Sequence, residues 1–267
     1  IKSTPPPLDK AEVAEAISFL EWLADGNFTF LGVREFKYSI AKGFDEINLV
    51  KGSGLGILRH SGAHVLETRS TRSGVLMSDE VRHLLGQPTP LFVTKANVRS
   101  TVHRDVHMDF VGVKHFDKRG RVIGERRFIG LFTSAAYNQS PGYIPLLRRK
   151  VDRTLILTGA SRSGHDGKSL INILENFPRD ELFQIGEDDL HKIASGVLEL
   201  SERPRVRCFW RRDPFGRFIS CLVYLPRERH STDLRKRLGL IVADAFKGFI
   251  AANNKTFIGR EGVVCSV

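Results

Sequence analysis

The run Thr154-Leu155-Ile156-Leu157-Thr158-Gly159-Ala160-Ser161-Arg162-Ser163-Gly164-His165-Asp166-Gly167-Lys168-Ser169 decides how the middle of this chain is read. As a strand running into Gly-Lys-Ser it would be a phosphate-binding loop: glycine lets the backbone approach a phosphate, lysine reaches the outer phosphates, and the hydroxyl binds magnesium. That loop needs its first glycine at position 162, which is Arg162, and Gly159 and Gly164 are both out of register. The upstream residues favour a helix. Pro141 stands near its start, Ile144, Leu147, Val151, Leu155 and Thr158 fall on one face, and Gly159 supplies the stop. TLILTG is then the last turns of a helix. Asp166 is placed to cap a second helix, which carries Leu170, Ile173, Leu174 and Phe177 and ends at Pro178. Residues 135–177 are therefore expected to be a helical connector. The Walker-B-like run Leu240-Ile241-Val242-Ala243-Asp244 lies in a helical pattern rather than at a strand end.

Upstream, residues 1–27 form a Pro-rich leader and a helix capped by Asp9, with Val13, Ile17, Leu20 and Leu23 at helical spacing and Gly26 at its end. FTFLGVREFKY (28–38) reads as a strand, and INLV (47–50) as its hairpin partner across residues 41–43. Gly52-Ser53-Gly54-Leu55-Gly56 looks like a dinucleotide fingerprint, but the third glycine position is Ile57. Too few residues separate Ile57 from Gly62 for a crossover helix, so the run is a turn. A short helix from Ser78 to Leu85, capped by Ser78, precedes LFVTKA (91–96). Two strands follow, VHMDFVGVKHF (106–116) and RVIGERRFIGLFT (121–133), joined across Asp117 to Gly120. Two strands, short helices and three strands is the order of a PAS-like antiparallel sheet module, assigned to residues 28–134.

The last segment, 178–267, reads as ELFQI (181–185), a helix from Asp188 to Leu200, PRVRCFWRR (204–212), RFISCLVYL (217–225), a helix from Thr232 to Ile250, and TFIGREGVVCSV (256–267). This βαββαβ order is ferredoxin-like, or ACT-like, with Asp213-Pro214-Phe215-Gly216 turning the middle hairpin. The fold class is α+β: a PAS-like sheet, a helical connector, then the ACT-like module.

Composition narrows the chemistry. With 267 residues, 41% of them hydrophobic, the chain holds one or two domains. It starts at Ile1 and stops inside an apolar run, as a piece of a longer chain would. The net charge of +11 is spread without a block of like charges, which argues against a nucleic-acid partner. Cys208, Cys221 and Cys265 are an odd set without CxxC spacing, so reduced thiols are expected rather than zinc or disulfides. No apolar run reaches the roughly 18 residues of a membrane span. There is no GxSxG, and the 9 histidines form no HExxH or HxH cluster, so neither catalytic residues nor metal ligands are assigned. His107 and Asp109 share a strand face, and Glu187-Asp188-Asp189 open a helix where carboxylates favour its positive end. His103 with Arg104, Arg126 with Arg127, and Arg211 with Arg212 are the candidate small-anion or interface contacts.

Several long runs resemble the N-terminal regulatory part of the large bacterial NAD-specific glutamate dehydrogenases. They are FLEWLADGNFTFLGVREF (19–36), GSGLGILR (52–59), RSTVHRDVHMDFVGVKHFD (99–117), GERRFIGLFTSAAYNQSPGYIPLLRRKV (124–151), HDGKSLINILENFPRDELFQI (165–185) and RPRVRCFWRRDPFGRFISCLVYLPRERHSTDLRKRL (203–238). Val33 and Phe36 stand where the family pattern has tyrosines, and the last thirty residues match least well. The resemblance implies a long cytoplasmic, homo-oligomeric polypeptide that oxidises L-glutamate with NAD. It implies that this stretch carries no NAD site or catalytic residue. It also implies that the stretch contacts the rest of its own polypeptide and other subunits, and senses an amino-acid or nucleotide effector or supports assembly.

Overall fold

The computed structural model describes residues 1–38, 46–59, 75–76, 79–202, 205–251, 255–259 and 262–266. The chain divides into two compact units, Ile1–Gln139 with Pro214–Arg217, and Ser140–Asp213 with Phe218–Val267.

Unit 1 begins with helix α1 (Lys10–Trp22), whose N-cap Asp9 accepts the Glu12 amide at 2.8 Å. The helix ends in a π turn, Leu23–Asn27, where Gly26 has φ +75° and the Asn27 side-chain Nδ2 donates to Trp22 O at 2.9 Å. Strands β1 (Phe28–Tyr38), β2 (Glu46–Leu49), β3 (Leu55–Gly56) and β4 (Val75–Leu76) follow, then α2 (Asp79–Gly86). Strands β5 (Leu91–Arg99), β6 (His107–Phe116) and β7 (Val122–Phe132) and helix α3 (Ser134–Asn138) complete the unit. Every pairing among the described strands is antiparallel, in the order β4-β2-β1-β7-β6-β5 with β3 also on β1. The β6–β7 turn closes because Asp117 Oδ1 accepts the amides of Arg119 and Arg121 at 2.8 and 2.9 Å. Buried Phe110, Ile129, Met108, Leu131, Ala96 and Leu58 form one core of the sheet. Phe19, Trp22, Phe28 and Phe132 make an aromatic cluster between α1 and the sheet, with centroids 5.2 to 6.3 Å apart. The GSGLG run is a turn entering β3, as its spacing predicts. A Cβ on Gly56 (φ +59°) would lie 2.1 Å from Leu31 O, so its glycine serves strand approach.

Unit 2 opens with helices α4 (Leu147–Thr158), α5 (His165–Glu175), α6 (Arg179–Gln184) and α7 (Glu187–Glu202). Strands β8 (Arg207–Arg212) and β9 (Ile219–Leu225), helix α8 (Thr232–Ala245), and strands β10 (Lys255–Gly259) and β11 (Gly262–Ser266) follow. The sheet order is β10-β11-β9-β8, all antiparallel, with β8 at one edge. One face of β9 carries buried Val223 and Leu225 against Leu234, Leu238 and Val242 of α8. Ser231 caps α8 by accepting the Leu234 amide at 3.1 Å.

The TLILTG run is helix, and Gly159 ends it in the left-handed conformation (φ +69°). Gly-Lys-Ser lies inside α5. A Cβ on Gly167 would sit 1.9 Å from Ser161 O, so the glycine lets the α4–α5 turn fold back onto the helix. Gly167→Ala is expected to lower the denaturation midpoint. The clash costs about 1–3 kcal/mol, which outweighs the ~1 kcal/mol that alanine gains over glycine in a helix. A raised midpoint would show the turn to be slack.

Four expectations are corrected. Residues 181–185 are not a strand: α6 starts behind Pro178 with Asp180 and Glu181 in its first turn, where carboxylates favour the helix, so no βαββαβ unit begins there. Asp166 does not cap α5; Gly164 holds that position, and Asp166 lies in the first turn. The helix from Thr232 stops at Ala245 rather than Ile250, and Lys247 has φ +52°, which breaks the helical path. The final strand is two strands that pair with each other. The Ser78 cap and the turn at 41–43 fall outside the described residues.

Candidate functional site

Alternation along β7 sends Arg126 and Arg127 to opposite faces. Arg126 is exposed, and its guanidinium pairs with Glu35, Nε to Oε1 at 2.7 Å. Arg127 is buried, with Nε 2.6 Å from Glu125 Oε1 and its guanidinium 3.8 Å from the Phe36 ring centre. Register places Arg34 and Gly112 beside Arg127, and Phe36 and Lys114 beside Glu125. One sheet face thus buries three cations, Arg34, Lys114 and Arg127, around one carboxylate, Glu125. Arg34 donates to Leu58 O. Lys114 donates to Leu84 O (2.7 Å), Gln87 O (2.8 Å) and Thr89 Oγ1 (3.3 Å), closing the C-terminal end of α2. Burial pulls the Lys114 ammonium down to about 8 against the opposing pull of Glu125. Burial pushes the Tyr38 hydroxyl well up, aided by the charge and hydrogen bond of Glu125.

His103 and Arg104 lie in the exposed β5–β6 connection, away from Arg127. His103 has φ +61°, and Arg104 donates to Phe132 O at 2.9 Å while its guanidinium sits 5.3 Å from the Tyr137 ring centre. The structure therefore does not bring the unit 1 candidates to one point.

In unit 2, Arg211 and Glu181 form a buried two-bonded pair, Nε to Oε2 at 2.6 Å and Nη2 to Oε1 at 2.9 Å. Arg212, one residue on, faces the opposite side and is exposed. Lys150 of α4 donates to Leu182 O, Phe183 O and Ile185 O at 2.8, 3.2 and 2.7 Å. Its three protons hold the carbonyls at the end of α6. Burial first, then Arg211, draws the Lys150 ammonium down to about 7, opposed by Glu187 and Glu181. Spacing from Leu147 and Thr154 puts Lys150 on the apolar stripe of α4, which is the signal that the basic run Arg148-Arg149-Lys150 hid.

Between α7 and the edge strand β8 lies an open groove of about 200 Å³, lined by Asp189, Lys192, Ile193, Cys208, Phe209 and Trp210. Lys192 Nζ and Asp189 Oδ1 are 3.9 Å apart, so it offers both signs of charge beside an aromatic ring. Cys208 is exposed and Cys221 buried. Among the described residues no group of three or more His, Cys, Asp or Glu is placed to hold a metal ion. No described helix is long and apolar enough to cross a membrane.

Residues 144–203 match the family model of glutamate dehydrogenase helical motif 1, and residues 207–263 match that of the glutamate dehydrogenase ACT2 domain. The chain is 43% identical over 234 residues to an NAD-specific glutamate dehydrogenase of Halomonas elongata, covering 88% of this chain and 14% of that protein. It is 39% identical to the Pseudomonas aeruginosa NAD-specific glutamate dehydrogenase, covering 87% and 14%. For the protein of the same name from Mycobacterium tuberculosis the identity is 32%, covering 90% and 13%. The chain thus spans about one seventh of the length of these relatives, at 14% of the first two. With both the helical segment and the edge-strand sheet matched in order, the chain belongs to the NAD-specific glutamate dehydrogenase family, in the part that carries helical motif 1 and the ACT2 domain.

Proposed function

We propose that this chain is a regulatory and assembly segment of an NAD-specific glutamate dehydrogenase. The whole polypeptide converts L-glutamate, NAD and water to 2-oxoglutarate, ammonium and NADH; this segment binds no NAD and takes no part in hydride transfer. The observation that carries the reading is the coincidence of the matched ACT2 stretch, 207–263, with a single four-stranded sheet packed on α8. The effector side of the proposal rests on the α7–β8 groove. Lys192 would take the carboxylate of a free amino acid, Asp189 its ammonium, and Trp210 its side chain. Assembly contacts are supported by the outward apolar residues Leu240 and Ile241 of α8 and Phe249 beyond it, 66%, 59% and 87% exposed. The PAS-like reading of residues 28–134 and a contact role for His103, Arg104, Arg126 and Arg212 belong to the same proposal. Arg127 and Arg211 are held by buried carboxylates and act as structural members.

The test is calorimetric titration of the full-length protein with individual amino acids and nucleotides, with melting followed in parallel. Saturable heat with at least one amino acid is expected, weakened about tenfold or more by Lys192→Ala, which removes a charge-assisted contact. No heat and no melting shift with any compound would remove sensing. A defined oligomer in light scattering that is lost in Leu240→Asp would then leave assembly alone.

A further inference from the structure

We propose that the outward face of α8 packs against the same face of a second copy of this chain, antiparallel across a two-fold axis between Leu240 and Ile241. The inference rests on the assembly role given to this segment and names its partner and register. Leu234, Leu238 and Val242 turn one stripe of α8 toward Val223 and Leu225 of β9. Helical spacing sends Asp233, Arg237, Leu240 and Asp244 to the other side, with Ile241 beside them. The steps between those four residues are four, three and four, the spacing of a seam between two helices. All five side chains are exposed, Leu240 and Ile241 by 66% and 59%. Two large aliphatic groups thus lie in the middle of a water-facing stripe, with Arg237 on one side of them and Asp244 on the other.

Charge selects both the partner and the direction. Arg237 and Asp244 stand about 10.5 Å apart along one helix. Helical side chains lean toward the N-terminus, which turns Arg237 away from Asp244 on its own helix. A two-fold axis midway between 240 and 241 sets Leu240 opposite the partner's Ile241 and Arg237 opposite the partner's Asp244. Symmetry repeats each contact, so an ion pair flanks the aliphatic side chains at both ends. A parallel pair would set Arg237 and Asp244 each against its own copy, and like charges repel. In the antiparallel register Lys236 falls opposite the partner's Ala245, the last helical residue, where unpaired carbonyls carry partial negative charge. Asp233 falls beyond the partner's helix end and meets no like charge there. Phe249, 87% exposed, extends the apolar surface past the end of α8. A contact of about three turns a side is smaller than the ~1,000 Å² of an interface that stands alone. It therefore acts as one joint of a larger assembly, in which the remaining polypeptide brings the two faces together at high effective concentration.

The full-length protein carrying Arg237→Lys is treated with a water-soluble carbodiimide, which joins an amine to a carboxylate in contact and adds no spacer. A product with the mass of two chains is expected on a denaturing gel, and its digest should join position 237 of one chain to Asp244 of the other. Arg237→Asp is expected to lower the association constant of the full-length oligomer about tenfold in sedimentation, because repulsion replaces both ion pairs. Asp244→Arg should do the same, and the two exchanges together should restore the wild-type value. Additive losses in the double variant, or Asp244 joined to another segment of its own chain, overturn the two-fold contact. If Leu240→Asp dissolves the oligomer while the double exchange restores nothing, assembly through this face stands and the antiparallel register falls. If Leu240→Asp leaves the oligomer whole, the assembly role of α8 falls and the two-fold contact with it.

Discussion

Arg211→Ala is expected to destabilise unit 2 by about 3–5 kcal/mol, the cost of leaving one member of a buried ion pair uncompensated. The side chains of Arg211 and Glu181 are 4% and 8% exposed, and two parallel bonds join them, so solvent screening takes little from this figure. Removing the guanidinium leaves the Glu181 carboxylate in α6 with no cation at hydrogen-bond distance among the described residues. Chemical denaturation of the full-length protein, followed by amide exchange in residues 147–225, should show the loss there. The paired replacement Glu181→Leu with Arg211→Met should recover most of it, since desolvating two charges is itself costly. A loss under about 1 kcal/mol would mean that the pair behaves as an exposed one.

The second large effect belongs to Lys150. Its folded value of about 7 lies below the ordinary 10.5, so between those limits the unfolded chain binds more protons than the native one. Stability from this group therefore rises as pH climbs from about 7 to 10.5, by at most ~1.4 kcal/mol per unit. Below about 7 both states are protonated and the burial cost is fully present. Lys150→Met is expected to flatten that slope in a series of denaturation midpoints across the window. It should also cost about 3 kcal/mol at pH 7, because three carbonyls at the end of α6 lose their donor. An unchanged slope would show that the three acceptors hold the ammonium charged throughout, and that burial does not dominate.

Much of the fold was legible because it was written in local chemistry. Asp9 as a cap, Gly159 as a stop and Asp117 in the β6–β7 turn each act within a few residues, and each is where the spacing put it. The failures share a different cause. ELFQI is a short apolar run whose periodicity suits a strand or a helix. The choice is made by Pro178 in front of it and by Lys150, more than thirty residues upstream, which takes its last carbonyls. The candidate arginines were legible as residues but not as roles. Alternation could separate Arg126 from Arg127, yet only the sheet register reveals that Glu125 is buried beside the second. The shared sheet face of Cys208 and Cys221 was hidden for the same reason. Cys208 and Cys221 are distant in sequence and become neighbours once the hairpin at Asp213 to Gly216 sets the register.

The Glu181–Arg211 pair has a bearing on how such chains are inherited. Glu181 lies within the matched helical motif, 144–203, and Arg211 within the matched ACT2 domain, 207–263, so the bond crosses the seam between two named modules. Arg207 reaches back over the same seam to Glu199 at 2.7 Å. Recombination at residues 204–206 would separate charges that fold as one body. A chimera joining this helical segment to a foreign ACT2 domain should fold well only when the donor brings a cation to the Arg211 position.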